Sequence, residues 1–295
     1  MELSAVLPAI EGFCARHLPF EWARQPFMIR ALLECVLLTP VCAALGVKVV
    51  NFRMAFFSDA ISHSAFAGVA IGLLLDELFI RGGGRFDPRL SLIGFGLLVG
   101  LGIAAVRRRT TLSNDTVIGV FFSTVVALGL AIVTSSGRRS ADFQGYLYGD
   151  ILTLDAGDLA LTAGLAAAVL LFMLLGFNAM VLIGINAELA HSRGLRVRFY
   201  EYLFALLLTL VVTVSIRTAG ILLVTALLVV PAAAARNVAR DAAGMLRWAV
   251  VFGLASGLSG TLASYSPHLN QVSTGAAIVL AAALLFGLSL IARRA

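Results

Sequence analysis

Two side chains have types and spacing that could do chemistry. Asp59 and His63 lie in the stretch Phe57-Ser58-Asp59-Ala60-Ile61-Ser62-His63-Ser64-Ala65-Phe66-Ala67-Gly68. At i, i+4 spacing they share one face of a helix, about 6 Å apart along its axis. A carboxylate and an imidazole on one face can hold a divalent cation between them. Imidazole suits zinc, iron and nickel, and carboxylate also suits manganese. The same pair can instead form an Asp–His hydrogen bond that ties helices together, or a proton relay, and the spacing leaves these readings open. Small neighbours (Ser62, Ser64, Ala65, Gly68) let other helices come close.

The elements that must position this pair follow from composition. The chain has 295 residues, of which 60% are hydrophobic and 13% charged, and its mean hydropathy is +0.98. Soluble domains carry about 25% charged residues. An ordinary soluble enzyme, a disordered chain and a nucleic-acid module are excluded, and a polytopic membrane protein is indicated. Apolar stretches recur at roughly 27–50, 58–79, 90–106, 115–135, 158–183, 200–216, 219–238, 246–264 and 272–292, near the ~20 residues needed to cross a bilayer. Only Arg217-Thr218-Ala219-Gly220 separates 200–216 from 219–238, so the pattern predicts an all-α fold of eight or nine spans. Arg53 marks one membrane boundary. Ten residues of helix beyond it rise about 15 Å, which places His63 near the midplane.

Charge predicts orientation. With nine spans and the N-terminus outside, the inner ends carry Lys48 and Arg53, Arg107 to Arg109, Arg193, Arg196 and Arg198, Arg236, Arg240 and Arg247, and Arg293 and Arg294. The outer side mixes fewer arginines with acids such as Asp76, Glu77, Asp87 and Asp155. The positive-inside rule favours this arrangement. The net charge of +6 is then chiefly an orientation signal.

Other polar residues have simpler readings. Glu34 follows Arg30 by four residues, and a local ion pair near the membrane surface accounts for it. Cys35 and Cys42 sit in an apolar run as small core residues, and with Cys14 they form no disulfide framework. Glycines near Gly94 and Gly100 read as helix-packing positions. His268 falls in a short loop, and His191 lies on a polar segment. Residues 136–157 form an outer connection rich in aromatics and acids. Residues 184–198 form an inner one that reads as a short helix, Asn186 to Arg193, ended by Gly194. This short helix is either a docking element for a soluble partner or a surface-lying connector. There is no GxxxxGK[ST] phosphate loop, no HExxH and no GxSxG elbow, so the chain is not expected to be an enzyme or to hydrolyse ATP itself.

Six stretches, in order, carry a family resemblance: Arg53–Ser64 with Gly68, Asp115–Gly119, Tyr146–Leu152, Asn186–Gly194, Gly220–Ala233 and Ser273–Leu280. Over residues 27–292 the chain resembles the membrane permease subunits of bacterial ATP-binding-cassette importers for zinc, manganese or iron. The resemblance implies the metal and vitamin-B12-type importer architecture, a single permease domain over 27–295 and an inner-membrane location. The leader, 1–26, looks longer than usual for the family and reads as extracytoplasmic or surface-lying.

The resemblance also implies partners and roles. Two permease copies would pair around a central path. A dimer of cytoplasmic ATPase subunits would dock on the helix between the fifth and sixth spans, where Glu188, Ala190 and Gly194 match the family pattern. An extracytoplasmic metal-binding protein would deliver the cation. Asp59 and His63 match the family's Asp and His in the second span. The segment before Pro231 looks like the gating helix. No cofactor is expected to be held permanently; the divalent cation is cargo. The competing reading is an ATPase-independent secondary transporter or channel using the same pair.

Overall fold

The computed structural model describes residues 3–17, 21–81, 86–135, 154–265 and 272–292. Residues 136–153 of the connection read at 136–157, and His268, lie outside these residues. The described residues form helices and no strand. In chain order they are α1 (Leu3–His17), α2 (Pro26–Asn51), α3 (Ala55–Arg81), α4 (Pro88–Arg109), α5 (Asn114–Ser135), α6 (Ala156–Ile185), α7 (Ala187–Ser192), α8 (Val197–Ala219), α9 (Ile221–Val238), α10 (Ala242–Ser264) and α11 (Thr274–Ala292). A 3₁₀ turn, Glu21–Arg24, precedes α2.

Among the described residues nine helices are long and apolar enough to cross a membrane: α2 to α6 and α8 to α11. The eight-or-nine alternative therefore resolves to nine helices of spanning length. The deciding position is Gly220, between α8 and α9, with φ 79° and ψ 161°. That backbone region is open essentially to glycine alone. α1, at 15 residues, falls short of the length needed to span.

Local chemistry sets several helix starts. Asp87 caps α4, its carboxylate accepting from the Arg89 N–H, and Pro88 follows at the first helical position, where its missing N–H costs nothing. The Asp241 side chain accepts from Gly244 N–H at the start of α10. The short helix α7 has Asn186 as its cap, with the side chain accepting from Leu189 N–H at 2.9 Å.

The chain forms two compact units. Unit 1 comprises residues 1–47, 150–174 and 218–295, and unit 2 comprises 48–149 and 175–217. In unit 1, α9, α10 and α11 pack against one another. Cys35 and Cys42 are buried there as expected, and Cys35 Sγ lies 3.2 Å from Thr261 Oγ1. A side chain at Gly46 would collide with the Leu228 carbonyl, and one at Gly260 with the Ile278 backbone.

In unit 2, α3 packs on α4 and α5. Gly68 of α3 lies against the Leu92 backbone of α4. Gly96 and Gly100 of α4 lie against Thr213 and Thr209 of α8. This small-xxx-small spacing permits close helix approach. Gly94, read from sequence as a packing position, faces open space instead. The packing stripe runs through Gly96 and Gly100, which are a turn apart, whereas Gly94 is two residues out of phase.

Candidate functional site

Asp59 and His63 lie on α3, one turn apart. The chain enters this helix through Arg53, whose φ of 54° makes it the one non-glycine residue in the left-handed region among the described residues. Around the pair, α3 is almost entirely buried: Phe57, Ser58, Ala60, Ile61, Ser62, Ser64 and Ala65 are all sealed. Asp59, His63 and Phe66 retain partial exposure, and Phe56 is 62% exposed. These positions (56, 59, 63, 66) trace one face at helical spacing. The pair therefore occupies the stripe of α3 that the chain leaves uncovered.

Neighbouring side chains fix this stripe. The His63 ring meets Phe122 of α5 edge to face, with centroids 5.0 Å apart and planes at 80°. Gly129 of α5 lies against Phe66 and the Ala67 backbone. The Ser64 hydroxyl donates back to the Ile61 carbonyl at 2.6 Å, so it does not compete for His63. Among the described residues no group of three or more His, Cys, Asp and Glu side chains is placed to hold a metal. On this stripe α3 presents one carboxylate and one imidazole, an oxygen and a nitrogen donor.

The connection over 184–198 folds as its residues predict. Arg193 ends α7. Gly194, at φ 79°, donates to the His191 carbonyl at 2.9 Å, and Leu195 N–H reaches the Ala190 carbonyl at 3.1 Å. These two bonds form a Schellman motif. Glu188 and Gly194 are exposed, while Ala190 is fully buried. Ala190 is thus the buried position of α7, and Glu188 is presented outward. Pro231 is buried inside α9, which runs on to Val238.

Two charged residues sit differently from expectation. Glu34 does not pair with Arg30. Arg30 donates to Glu11 of α1 at 2.7 Å and to the Leu154 carbonyl at 3.3 Å. Glu34 has 0% exposure, and its Oε1 accepts from Thr162 and Thr218, each at 3.0 Å. Its Oε2 has no hydrogen-bond partner among the described residues. Sequence spacing missed this because the two threonines lie 128 and 184 residues away. Lys48, read as a boundary cation, is 1% exposed. Its Nζ donates to the Phe177 carbonyl at 3.4 Å and lies 4.1 Å from the Phe177 ring centroid, so carbonyl and ring replace water around the ammonium. No local pattern around Lys48 announces that partner.

Nine helices of spanning length and apolar composition among the described residues define a multi-span membrane protein. The chain belongs to the ABC 3 transport family, which residues 24–293 match. It is 32% identical over 260 residues to the manganese transport system membrane protein MntC of Listeria innocua, covering 88% of each chain. It is 30% identical over 264 residues to the high-affinity zinc uptake system membrane protein ZnuB of Haemophilus influenzae, covering 89% of this chain and 96% of that one. Among solved structures, it matches PsaBC from Streptococcus pneumoniae in complex with Fab with a TM-score of 0.72 and 30% identity, over 96% of this chain and 95% of that one. A metal-chelate type ABC transporter in an inward-facing conformation shares the fold, with a TM-score of 0.67 at 16% identity.

Proposed function

We propose that this permease carries a divalent transition-metal cation, manganese or zinc in the first instance, into the cell, driven by a separate ATPase. The observation that carries the reading is the placement of Asp59 and His63 on the uncovered stripe of an otherwise sealed span. An ionisable pair within a span is costly and calls for a function. Family membership supports the rest, together with relatives named for manganese transport and zinc uptake.

Two ligands per chain suit a transient site. A pair of permease copies would contribute two carboxylates and two imidazoles around a central path, and such a site must bind loosely enough to release its ion. In this reading α7 presents Glu188 to the ATPase dimer at the cytoplasmic face. Ala190 is the buried position of α7, and the Gly194 turn sets its angle. The break at Gly220 leads into α9, where the segment before Pro231 acts as the gating helix. An extracytoplasmic binding protein supplies the cation from the far side. Residues 1–26 stay at the outer surface of the inner membrane, and residues 27–295 serve as one permease domain. The excess of arginines at one set of helix ends supports this orientation.

The test is complementation. A strain lacking its own manganese and zinc importers is given this chain with its partner ATPase, and accumulation of each metal is measured at limiting supply. Restored uptake of one metal supports the reading. Uptake that persists with an ATPase unable to hydrolyse ATP contradicts it.

A further inference from the structure

A groove on unit 2 has the layered chemistry of one membrane leaflet. Helices α4 and α8 touch closely at Gly96 and Gly100. Toward their arginine-bearing ends an open groove of about 420 Å³ lies beside them, lined by Leu101 of α4 and by Arg198, Phe199, Tyr202, Leu203 and Leu206 of α8. That volume is in the range of small-ligand sites, roughly 300–1,000 Å³. The α8 residues fall at i, i+4 and i+8, so they form one stripe about 12 Å long, parallel to the helix axis.

The order along the stripe is informative. Leu203 and Leu206 lie toward the interior of the span, Phe199 and Tyr202 follow, and Arg198 stands at the end. Apolar, then aromatic, then cationic is the sequence from acyl core to headgroup. Arg198 is exposed and pairs with no carboxylate among the described residues. The acid one turn away, Glu201, is occupied by Arg108 at 2.6 Å and Arg107 at 3.6 Å. The rim of the groove therefore has an uncompensated cation beside an apolar slot that runs along the α8 axis.

We propose that this groove binds an anionic phospholipid, with one acyl chain along Leu101, Leu203 and Leu206 and the phosphate on Arg198. Basic pockets between spanning helices recognise anionic headgroups in this way. A zwitterionic lipid offers the same chain but a weaker net attraction, and free phosphate leaves the apolar stripe unused. The inference depends on neither the cargo nor the orientation proposed above.

The experiment uses the full chain, released from nanodiscs containing equal phosphatidylglycerol and phosphatidylcholine, with retained lipid read by native mass spectrometry. Wild type is expected to retain phosphatidylglycerol in preference. Arg198→Gln should reduce that preference about fivefold, which corresponds to about 1 kcal/mol for one basic residue near an anionic lipid. Leu206→Trp, which fills the slot, should also reduce retention, and Arg240→Gln, at an exposed arginine of unit 1, should leave it unchanged. Equal retention of the two lipids by wild type, a measurement that needs no variant, overturns the proposal. So does an unchanged preference in Arg198→Gln, or complete displacement by inorganic phosphate. Loss of the bound lipid when the partner ATPase is added would reassign the groove to a protein contact.

Discussion

Thr218 donates its hydroxyl to Glu34 Oε1 at 3.0 Å, from a position two residues before Gly220, where α8 gives way to α9. Thr162 of α6 donates to the same oxygen. One buried carboxyl thus gathers α2, the start of α6 and the approach to α9. Removing it would delete both of these hydrogen bonds and open a cavity beside the two threonines. Glu34→Ala is expected to cost about 1–3 kcal/mol, read as a lower midpoint of thermal denaturation in detergent. Glu34→Gln keeps an oxygen for both threonines and should lose much less. Equal stability of wild type and Glu34→Ala would show that the threonines find other acceptors.

Gly220 is expected to resist every substitution. Its φ of 79° and ψ of 161° lie where a side chain is strained, so Gly220→Ala should destabilise the α8–α9 junction by roughly 1–3 kcal/mol. Gly94→Ala is the control, because its side chain would meet open space. Limited proteolysis of the two variants should show faster cutting near 217–221 in the first and a wild-type pattern in the second. Identical patterns would mean that the junction relaxes without cost.

The sequence made these two features unequally visible. Gly220 could be anticipated because the turn that breaks two apolar runs is local, as are the Asn186 cap and the Gly194 stop of α7. Apolar length alone gives eight or nine helices of spanning length, and the break at Gly220 decides for nine among the described residues. Glu34 and Lys48 were not legible, since their partners come from α6, the end of α8 and a Phe177 carbonyl, all remote in sequence. The face of Asp59 and His63 was visible from their spacing. Its exposure was not, because that depends on which sides of α3 are covered by α4 and α5.

Glu201 bridges Arg107 and Arg108 of α4 from its place on α8. Glu201→Gln should destabilise unit 2 by about 1 kcal/mol at low salt, and the difference should shrink at high salt, as for part-exposed ion pairs. Thermal denaturation at the two ionic strengths tests this. A salt-independent loss would point to packing of the Glu201 stem in place of its charge.

Docking of the ATPase is expected to depend on α7. Glu188→Arg reverses an exposed charge and should reduce co-purification of the ATPase while leaving the permease in the membrane. Gly194→Val strains a backbone held at φ 79° and should have the same effect by turning α7. Undiminished co-purification with both variants would place the docking surface elsewhere.

The central claim is that Asp59 and His63 handle the cargo. Its most direct test is metal accumulation at limiting supply by Asp59→Ala and His63→Ala, each expressed with its partner ATPase in a strain without other importers. Both variants should reach the membrane and assemble at wild-type levels, yet accumulate no metal above the strain's background. Normal accumulation by both variants would contradict the assignment.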